Sequence, residues 1–205
     1  MRTWLIALLL LTVHAAAMAI EEPDYEVLRR LDGTEVELRR YAPYVVAQVR
    51  VDGPADRADS EGFRALAGYI FGKNKGERRL EMTAPVTRSA APVKLEMTAP
   101  VTRAADADGY LVQFVLPKAV TLATAPEPID PRVQLREVPS ATVAAIRYSG
   151  TWSQSNYEEH LERLKAALRT AQLTWSGEPV LSRYNGPMTP WFMRRNEIWL
   201  AVEGR

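Results

Sequence analysis

Short runs of alternating and β-branched residues, broken by turn residues, dominate the chain from Tyr25 onwards. The runs at 25–31 and 34–41 flank an Asp-Gly pair that is typical of a two-residue hairpin turn. Residues 44–51 are a continuous β-branched run, which predicts a central strand. A helical period follows, with a cap at Asp59 or Ser60 and an end at Gly72. The apolar stripe of this predicted helix is Phe63, Leu66, Ala67 and Ile70.

The same order of elements returns in the second half of the chain. Residues 142–148 predict a strand, and a capping box at Ser155 predicts a helix that runs to about Ala171. The apolar stripe of this second helix is Tyr157, Leu161, Leu164 and Leu168. Two more strands are predicted at 179–185 and 196–202, with a Pro-rich turn between them. The chain therefore carries two similar successions of strands and helices.

Superposing the two halves supports a duplication. Residues 37–53 and 134–150 share six identities in 17 positions at an offset of 97, and the two helix stripes coincide at an offset of 98. We predict two strand-helix-strand-strand units, at about 25–117 and 133–203, related by approximate two-fold symmetry. Because each half alone would have a small core, the expected fold is one α+β domain over 20–205, a distorted antiparallel β-barrel with two main helices.

A shorter repeat lies inside the first half. The segment LEMTAPVTR occurs at 80–88 and again, unchanged, at 95–103. Its alternation predicts a strand in which Leu80, Met82, Ala84 and Val86 share one face. Two interpretations remain open: a local duplication that forms an extra hairpin, or a duplicated ligand site.

The first nineteen residues have the layout of a secretory signal peptide. Arg2 precedes an apolar run at 4–13, and small residues follow, ending in an Ala-x-Ala cleavage site at Ala19. Cleavage there would begin the mature chain at Ile20, in the periplasm or outside the cell. The alternative is an uncleaved N-terminal membrane anchor, although ten apolar residues fall short of the roughly 20 that span a bilayer. After cleavage we expect no stable membrane insertion.

The composition limits the kinds of binding and catalytic site that the chain can form. Lys and Arg number 26 against 25 Asp and Glu, so no broad basic field exists to hold nucleic acid. The absence of cysteine excludes disulfides, thiolate zinc sites, iron–sulfur clusters and thioether-linked haem. The chain has two histidines, and removal of the signal peptide would take away His14 and leave His160. A catalytic triad or a metal site with several histidines is therefore nearly excluded.

The motifs together resemble those of the SOUL haem-binding family. They cover nearly all of the mature chain, in the family's order: LRRYAPYVVAQV (38–49), GYIFGKNK (68–75), LEMTAPV (80–86, repeated), YLVQFVLP (110–117), DPRVQLREVPSATVAAIRYSGTW (130–152) and YNGPMTPWFMRRNEIW (184–199). The resemblance implies a duplicated α+β barrel similar to the effector-binding domains of some transcription regulators. It also implies non-covalent binding of haem or a related porphyrin, a tetrapyrrole ligand, in a shallow apolar cleft.

Such a ligand needs an apolar slot and cations near its propionates. The candidate slot residues are Phe63, Leu66, Tyr69, Ile70, Met82, Met97, Met188 and Trp191. The candidate propionate partners are Lys73, Lys75, Arg194 and Arg195. The alternative is that the apolar residues are ordinary core and the cations a solvated rim.

Axial ligation of iron has few candidates. His160 lies beside the apolar stripe of the second helix, one residue before Leu161, and could ligate haem iron, or it could be a structural or exposed histidine. Some members of the family carry a histidine before the position of Tyr41, but this chain has Arg40 there. Weak ligation would favour a carrier or scavenger over a redox enzyme.

The predicted function is therefore tetrapyrrole binding by an exported protein, for transport, buffering or sequestration. One alternative is an enzyme, a hydrolase or a tetrapyrrole-modifying enzyme, that uses the same cleft. A buried Glu81, Glu96 or Glu197 with a raised pKa would favour it. Another alternative is an envelope protein that binds a different apolar ligand.

Overall fold

The computed structural model describes residues 21–90 and 109–203. Within them the chain forms nine strands: β1 Tyr25–Arg30, β2 Val36–Tyr41, β3 Tyr44–Asp52, β4 Val86–Ala90, β5 Gly109–Val115, β6 Gln134–Val138, β7 Ala141–Tyr148, β8 Trp175–Arg183 and β9 Asn196–Val202. The two helices are α1 Ala55–Ile70 and α2 Gln154–Thr170, and a short 3₁₀ turn covers Trp191–Met193. The segment 1–19 and the second LEMTAPVTR copy lie outside the described residues.

All nine strands join one curled antiparallel sheet in the order β1-β2-β7-β9-β8-β4-β5-β3-β6. Apart from β1, the strands of the first half of the chain (β2 to β5) and of the second half (β6 to β9) occupy equivalent positions in the sheet. Counted inwards from the two ends of this eight-strand order, β2 corresponds to β6, β7 to β3, β9 to β5 and β8 to β4. Each half thus contributes two strands, a helix and two strands, one strand more than the sequence pattern predicted, and β8 and β4 meet at the centre. The predicted α+β fold with two helices is confirmed.

Both helices pack on the same face of the sheet. Leu181 in β8 belongs to the core cluster under α2, and Arg183, two residues later on the same strand, pairs with Asp59 of α1. Residues two apart on a strand share a face, so α1 and α2 lie side by side over one surface. On this face the helices cover two separate cores. The α1 core includes Val49, Leu66, Ile70 and Val112, and the α2 core includes Ile146, Leu164, Leu168 and Ile198.

The predicted helix starts were wrong. Helix α1 begins one turn earlier than expected, after Pro54, whose extended backbone and missing N–H suit the start of a helix. Asp59 and Ser60 are therefore inside the helix, which frees the Asp59 carboxylate for contacts with the sheet. In α2 the cap is Ser153, whose hydroxyl accepts a hydrogen bond from the Asn156 amide, and not Ser155.

The strand predicted from Leu80 is also wrong, because β4 begins only at Val86. The preceding residues make backbone hydrogen bonds to other parts of the chain, from Leu80 to the Ile70 carbonyl and from Ala84 to the Glu21 carbonyl. Leu80 is consequently buried while Met82 is 40% exposed, so the two side chains do not share a buried face. No helix among the described residues is long and apolar enough to cross a membrane.

Candidate ligand-binding cleft

A cleft of about 800 Å³ opens between α1, the centre of the sheet and the segment after β8. Its volume lies within the range of about 300–1,000 Å³ that is usual for small-molecule sites. The apolar lining residues are Phe63, Ala67, Val86, Val112, Trp152, Leu181 and Pro187. The polar lining residues are Asp56, Asp59, Ser60, Arg64, Thr87, Arg88, Arg183 and Asn185, with Gly186 beside them.

The approach of α1 to the sheet shapes the apolar wall. A Cβ added at Gly62 would lie 2.7 Å from Cγ2 of Val112, so only glycine allows the helix to sit this close to β5. The next residue, Phe63, packs edge-to-face on Phe114 with ring centroids 5.3 Å apart, yet 43% of it stays exposed. One part of the ring is thus anchored on the core, and the rest is available to a ligand.

Two arginines on the central strands share one carboxylate at the cleft. Asp59 Oδ1 lies 2.9 Å from Arg88 Nη1, and Asp59 Oδ2 lies 2.9 Å from Arg183 Nη1. Burial lowers the pKa of Arg183, Asp59 opposes this effect and Arg88 adds to it, but a guanidinium remains charged. Arg183 Nε is buried without a hydrogen-bond partner in the described part of the chain. The pair therefore carries an excess positive charge that suits a carboxylate ligand.

Trp152 forms an aromatic side of the cleft. Two guanidinium groups lie over its ring, with Arg183 Cζ at 4.7 Å and Arg194 Cζ at 4.2 Å from its centroid. Its Nε1 donates a hydrogen bond of 3.0 Å to Asn196 Oδ1, which fixes the ring orientation. A planar indole in a fixed position can contact a planar ligand at little entropic cost.

Of the predicted slot residues, Phe63 alone lines this cleft in the described structure. Leu66 and Ile70 are 0% and 1% exposed in the α1 core, and the buried Tyr69 hydroxyl donates to the Pro126 carbonyl. These three residues belong to the core because their side of α1 faces the sheet. The remaining candidates do not line the cleft or cannot be placed: Met82, Met188 and Trp191 are exposed and are not among its lining residues, and Met97 lies outside the described residues.

The four predicted propionate partners are not among the cleft-lining residues either, although Arg194 stacks on the Trp152 ring. Lys73 lines a separate cavity of about 390 Å³, and Lys75 pairs with Glu127. The Arg194 guanidinium donates to the carbonyls of Thr189 and Pro187, and Arg195 pairs with Glu22 and Glu197. Sequence reasoning missed Arg88 and Arg183. The available signal was their spacing: Arg88 and Arg183 each come two residues after an apolar strand residue, Val86 and Leu181, and therefore share its face.

His160 lies on α2 and is not among the cleft-lining residues. Its Nδ1 is 2.7 Å from the Asn156 carbonyl oxygen, and since a carbonyl only accepts, Nδ1 carries the proton. The imidazole stacks on Tyr148 with centroids 4.2 Å apart. The described residues contain no group of three or more His, Cys, Asp or Glu side chains able to hold a metal ion.

A second polar centre lies on the opposite face of the sheet around Glu197, which is fully buried. Its Oε2 accepts hydrogen bonds from Arg39 Nη1 at 2.7 Å, Trp199 Nε1 at 2.8 Å and the Tyr184 hydroxyl at 2.9 Å. Its Oε1 accepts one from Arg195 Nε at 3.0 Å. Burial alone would raise the pKa of Glu197, but the two arginines outweigh it and the pKa is lowered. The carboxylate is a paired structural anion, without the raised pKa that the enzyme hypothesis requires.

Solved structures share the fold at low sequence identity. An uncharacterized conserved protein from Listeria innocua has a TM-score of 0.60 and 13% identity, over 82% of this chain and 92% of that one. The C-terminal domain of EcmrR has a TM-score of 0.57 and 13% identity, over 88% of this chain and 99% of that one. At such identities the likeness shows the fold alone.

Relatives and a family model, both found by sequence comparison, identify the family as well as the fold. Heme-binding protein 1 of Xenopus laevis is 27% identical over 169 residues, covering 82% of this chain and 84% of that protein. Heme-binding protein 2 of Homo sapiens is 27% identical over 190 residues, covering 91% of this chain and 88% of that protein. The family model described as SOUL heme-binding protein matches residues 20–201, nearly the whole chain. The chain belongs to the SOUL heme-binding protein family.

Proposed function

We propose that this protein binds haem or a related porphyrin non-covalently in the cleft beside α1. The family match over residues 20–201 is the observation that carries the proposal. Because the sequence contains no cysteine, a thioether attachment of the porphyrin is impossible. Tetrapyrrole binding is therefore a matter of shape, apolar contact and charge.

The cleft fits a planar, carboxylated macrocycle. Phe63 and Leu181 offer apolar surface to the ring, and the indole of Trp152 adds to this lining. Arg88 and Arg183 would receive a propionate, with their shared positive charge only partly offset by Asp59. The described lining residues include no His, Met, Cys or Tyr, so they supply no axial ligand to iron. Metal-free protoporphyrin is then expected to bind about as tightly as hemin.

Filling the cleft tests the site. Ser60 is an exposed lining residue, so Ser60→Trp puts an indole into the cleft without disturbing the core. We expect hemin affinity, measured from the Soret shift in a titration, to fall by about tenfold or more, because the new indole covers part of the cleft surface that hemin would contact. Glu159→Trp, at an exposed position on α2, and His160→Ala should leave the titration unchanged. Equal affinity of Ser60→Trp and the wild type would place the ligand elsewhere, and a changed Soret band in His160→Ala would make His160 a ligand.

We propose further that the protein is exported and works in haem transport, buffering or sequestration. The apolar run at 4–13 and the Ala-x-Ala site ending at Ala19 support export. A binding protein without axial ligation suits a carrier role more than redox chemistry. N-terminal sequencing of protein from the periplasm or medium should begin at Ile20. Protein that keeps residues 1–19 and remains in the membrane fraction would support an uncleaved anchor instead.

A further inference from the structure

We propose that residues 186–195, called here the tip loop, dock the protein onto an anionic lipid bilayer. The loop connects β8 to β9 and exposes four large apolar side chains within six residues. These are Met188 at 93% exposure, Trp191 at 58%, Phe192 at 61% and Met193 at 65%. Single exposed apolar residues are ordinary on a protein surface, but a contiguous group marks an interaction surface.

The shape of the tip loop favours a bilayer over a protein groove or pocket. Trp191 and Phe192 pack edge-to-face on each other, with ring centroids 5.6 Å apart, in a 3₁₀ turn. Met188, at 93% exposure, projects almost entirely into solvent. Projecting tryptophan and other large apolar side chains are the groups that enter the interfacial region of a membrane.

The backbone of the tip loop is held in place before any contact is made. Arg194 makes two hydrogen bonds within the loop: its Nε donates to the Thr189 carbonyl at 2.8 Å and its Nη2 donates to the Pro187 carbonyl at 3.0 Å. The Gly150 amide donates to the Trp191 carbonyl, which ties the loop to the end of β7. A loop already ordered in this way loses little conformational entropy when it binds.

Positive charge lies beside the apolar tip. Phe192 and Met193 line one surface cleft in which five arginines outnumber the two glutamates, Glu35 and Glu37. Three of these arginines are paired, whereas Arg147 and Arg194 form no ion pair within the part of the chain that the structure describes. Because the whole chain carries a net charge of only +1, this local charge gives a short-range attraction to anionic headgroups and no long-range recruitment.

The tip loop also borders the ligand-binding cleft. Gly186 and Pro187 line the cleft, and Arg194 stacks on its Trp152 wall. Docking of the loop would bring the cleft beside the bilayer, where apolar porphyrins partition. This last step rests on the proposed function, whereas the bilayer contact itself does not.

Vesicle flotation tests the contact. The chain is used from Ile20, which keeps every described strand and helix and removes the apolar run at 4–13 that would bind lipid by itself. The vesicles contain phosphatidylcholine and phosphatidylglycerol, and the partition coefficient is calculated from the fraction of protein that floats with them. Trp191→Ser/Phe192→Ser should lower this coefficient by about tenfold or more. The matched control is Leu122→Ser/Ile129→Ser, which removes two exposed apolar side chains elsewhere and should float like the wild type.

Three results would overturn the bilayer contact: no flotation of the wild type, equal flotation of the loop variant, or a wild-type dimer that the loop variant converts to monomer. The last would assign the loop to a second copy of the chain. Hemin titration without lipid separates this proposal from the proposed function. Normal flotation without hemin binding would overturn haem binding and leave the lipid contact standing.

Discussion

Replacing Glu197 with alanine is expected to lower the free energy of unfolding by about 3–5 kcal/mol, the usual cost of breaking a buried ion pair by removing one partner. The variant leaves the buried Arg39 without the acceptor that lies 2.7 Å from its Nη1. It also removes the acceptor of Trp199 Nε1 and of the Tyr184 hydroxyl, so two more buried donors lose a partner. Urea denaturation followed by tryptophan fluorescence measures the change.

The control is Glu162→Ala, which removes an exposed carboxylate that pairs with Lys165 on α2 and should leave the unfolding curve in place. If Glu197→Ala does not fold, Glu197→Gln keeps an acceptor near Arg39 and should show a smaller loss. Wild-type unfolding curves for both Glu197 variants would contradict the assigned network.

The pH dependence of stability follows from the same network. Arg39 and Arg195 hold the pKa of Glu197 below its ordinary value of 4.5. A lowered pKa in the folded state contributes stability that is fully present above 4.5 and is lost as the pH falls through the folded value. The wild type should therefore lose more stability on acidification below pH 4.5 than Glu197→Gln does.

The second large effect concerns ligand affinity. Replacing Arg88 and Arg183 together with glutamine is expected to weaken hemin binding by about 30-fold, or about 2 kcal/mol, the scale of a hydrogen bond to a charged group. The change removes both cations that share Asp59 at the cleft. It also makes Asp59 an unpaired anion that repels a propionate. Titration of hemin into the variant measures the loss.

Protoporphyrin dimethyl ester provides the internal control, because it keeps the macrocycle and lacks the carboxylates. It should bind the wild type and the arginine variant equally. Arg163→Gln/Arg169→Gln, which removes two exposed arginines from α2, should not affect hemin. An equal loss of affinity for hemin and the ester would show that Arg88 and Arg183 support the fold of the cleft and do not bind the propionates.

Local patterns predicted much of the fold. The β-branched run at 44–51 became β3, and two residues of each predicted stripe are buried: Leu66 and Ile70 in α1, and Leu164 and Leu168 in α2. The start of β4 could not be predicted, because Leu80 and Ala84 bond to carbonyls of Ile70 and Glu21 instead of to a neighbouring strand. Such contacts depend on tertiary structure and leave no local periodicity.

The candidate site was less predictable for the same reason. A helical period identifies a buried face of α1, but it does not distinguish Leu66, which the sheet covers, from Phe63, which borders a cleft. Arg88 and Arg183 become neighbours because β4 and β8 pair, with Val86 opposite Arg183, although the two arginines are 95 positions apart in the sequence. Glu197 likewise looks like an exposed carboxylate until the sheet brings Arg39 of β2 to it.

The most direct test of the account is to locate the bound porphyrin on the protein. Amide chemical shifts of the isotopically labelled chain from Ile20 would be recorded with and without diamagnetic zinc protoporphyrin. We expect the largest shifts at 56–67, 86–88 and 181–187, around the cleft beside α1. Saturable shifts confined to the opposite face around Glu197, or no saturable shifts at all, would contradict it.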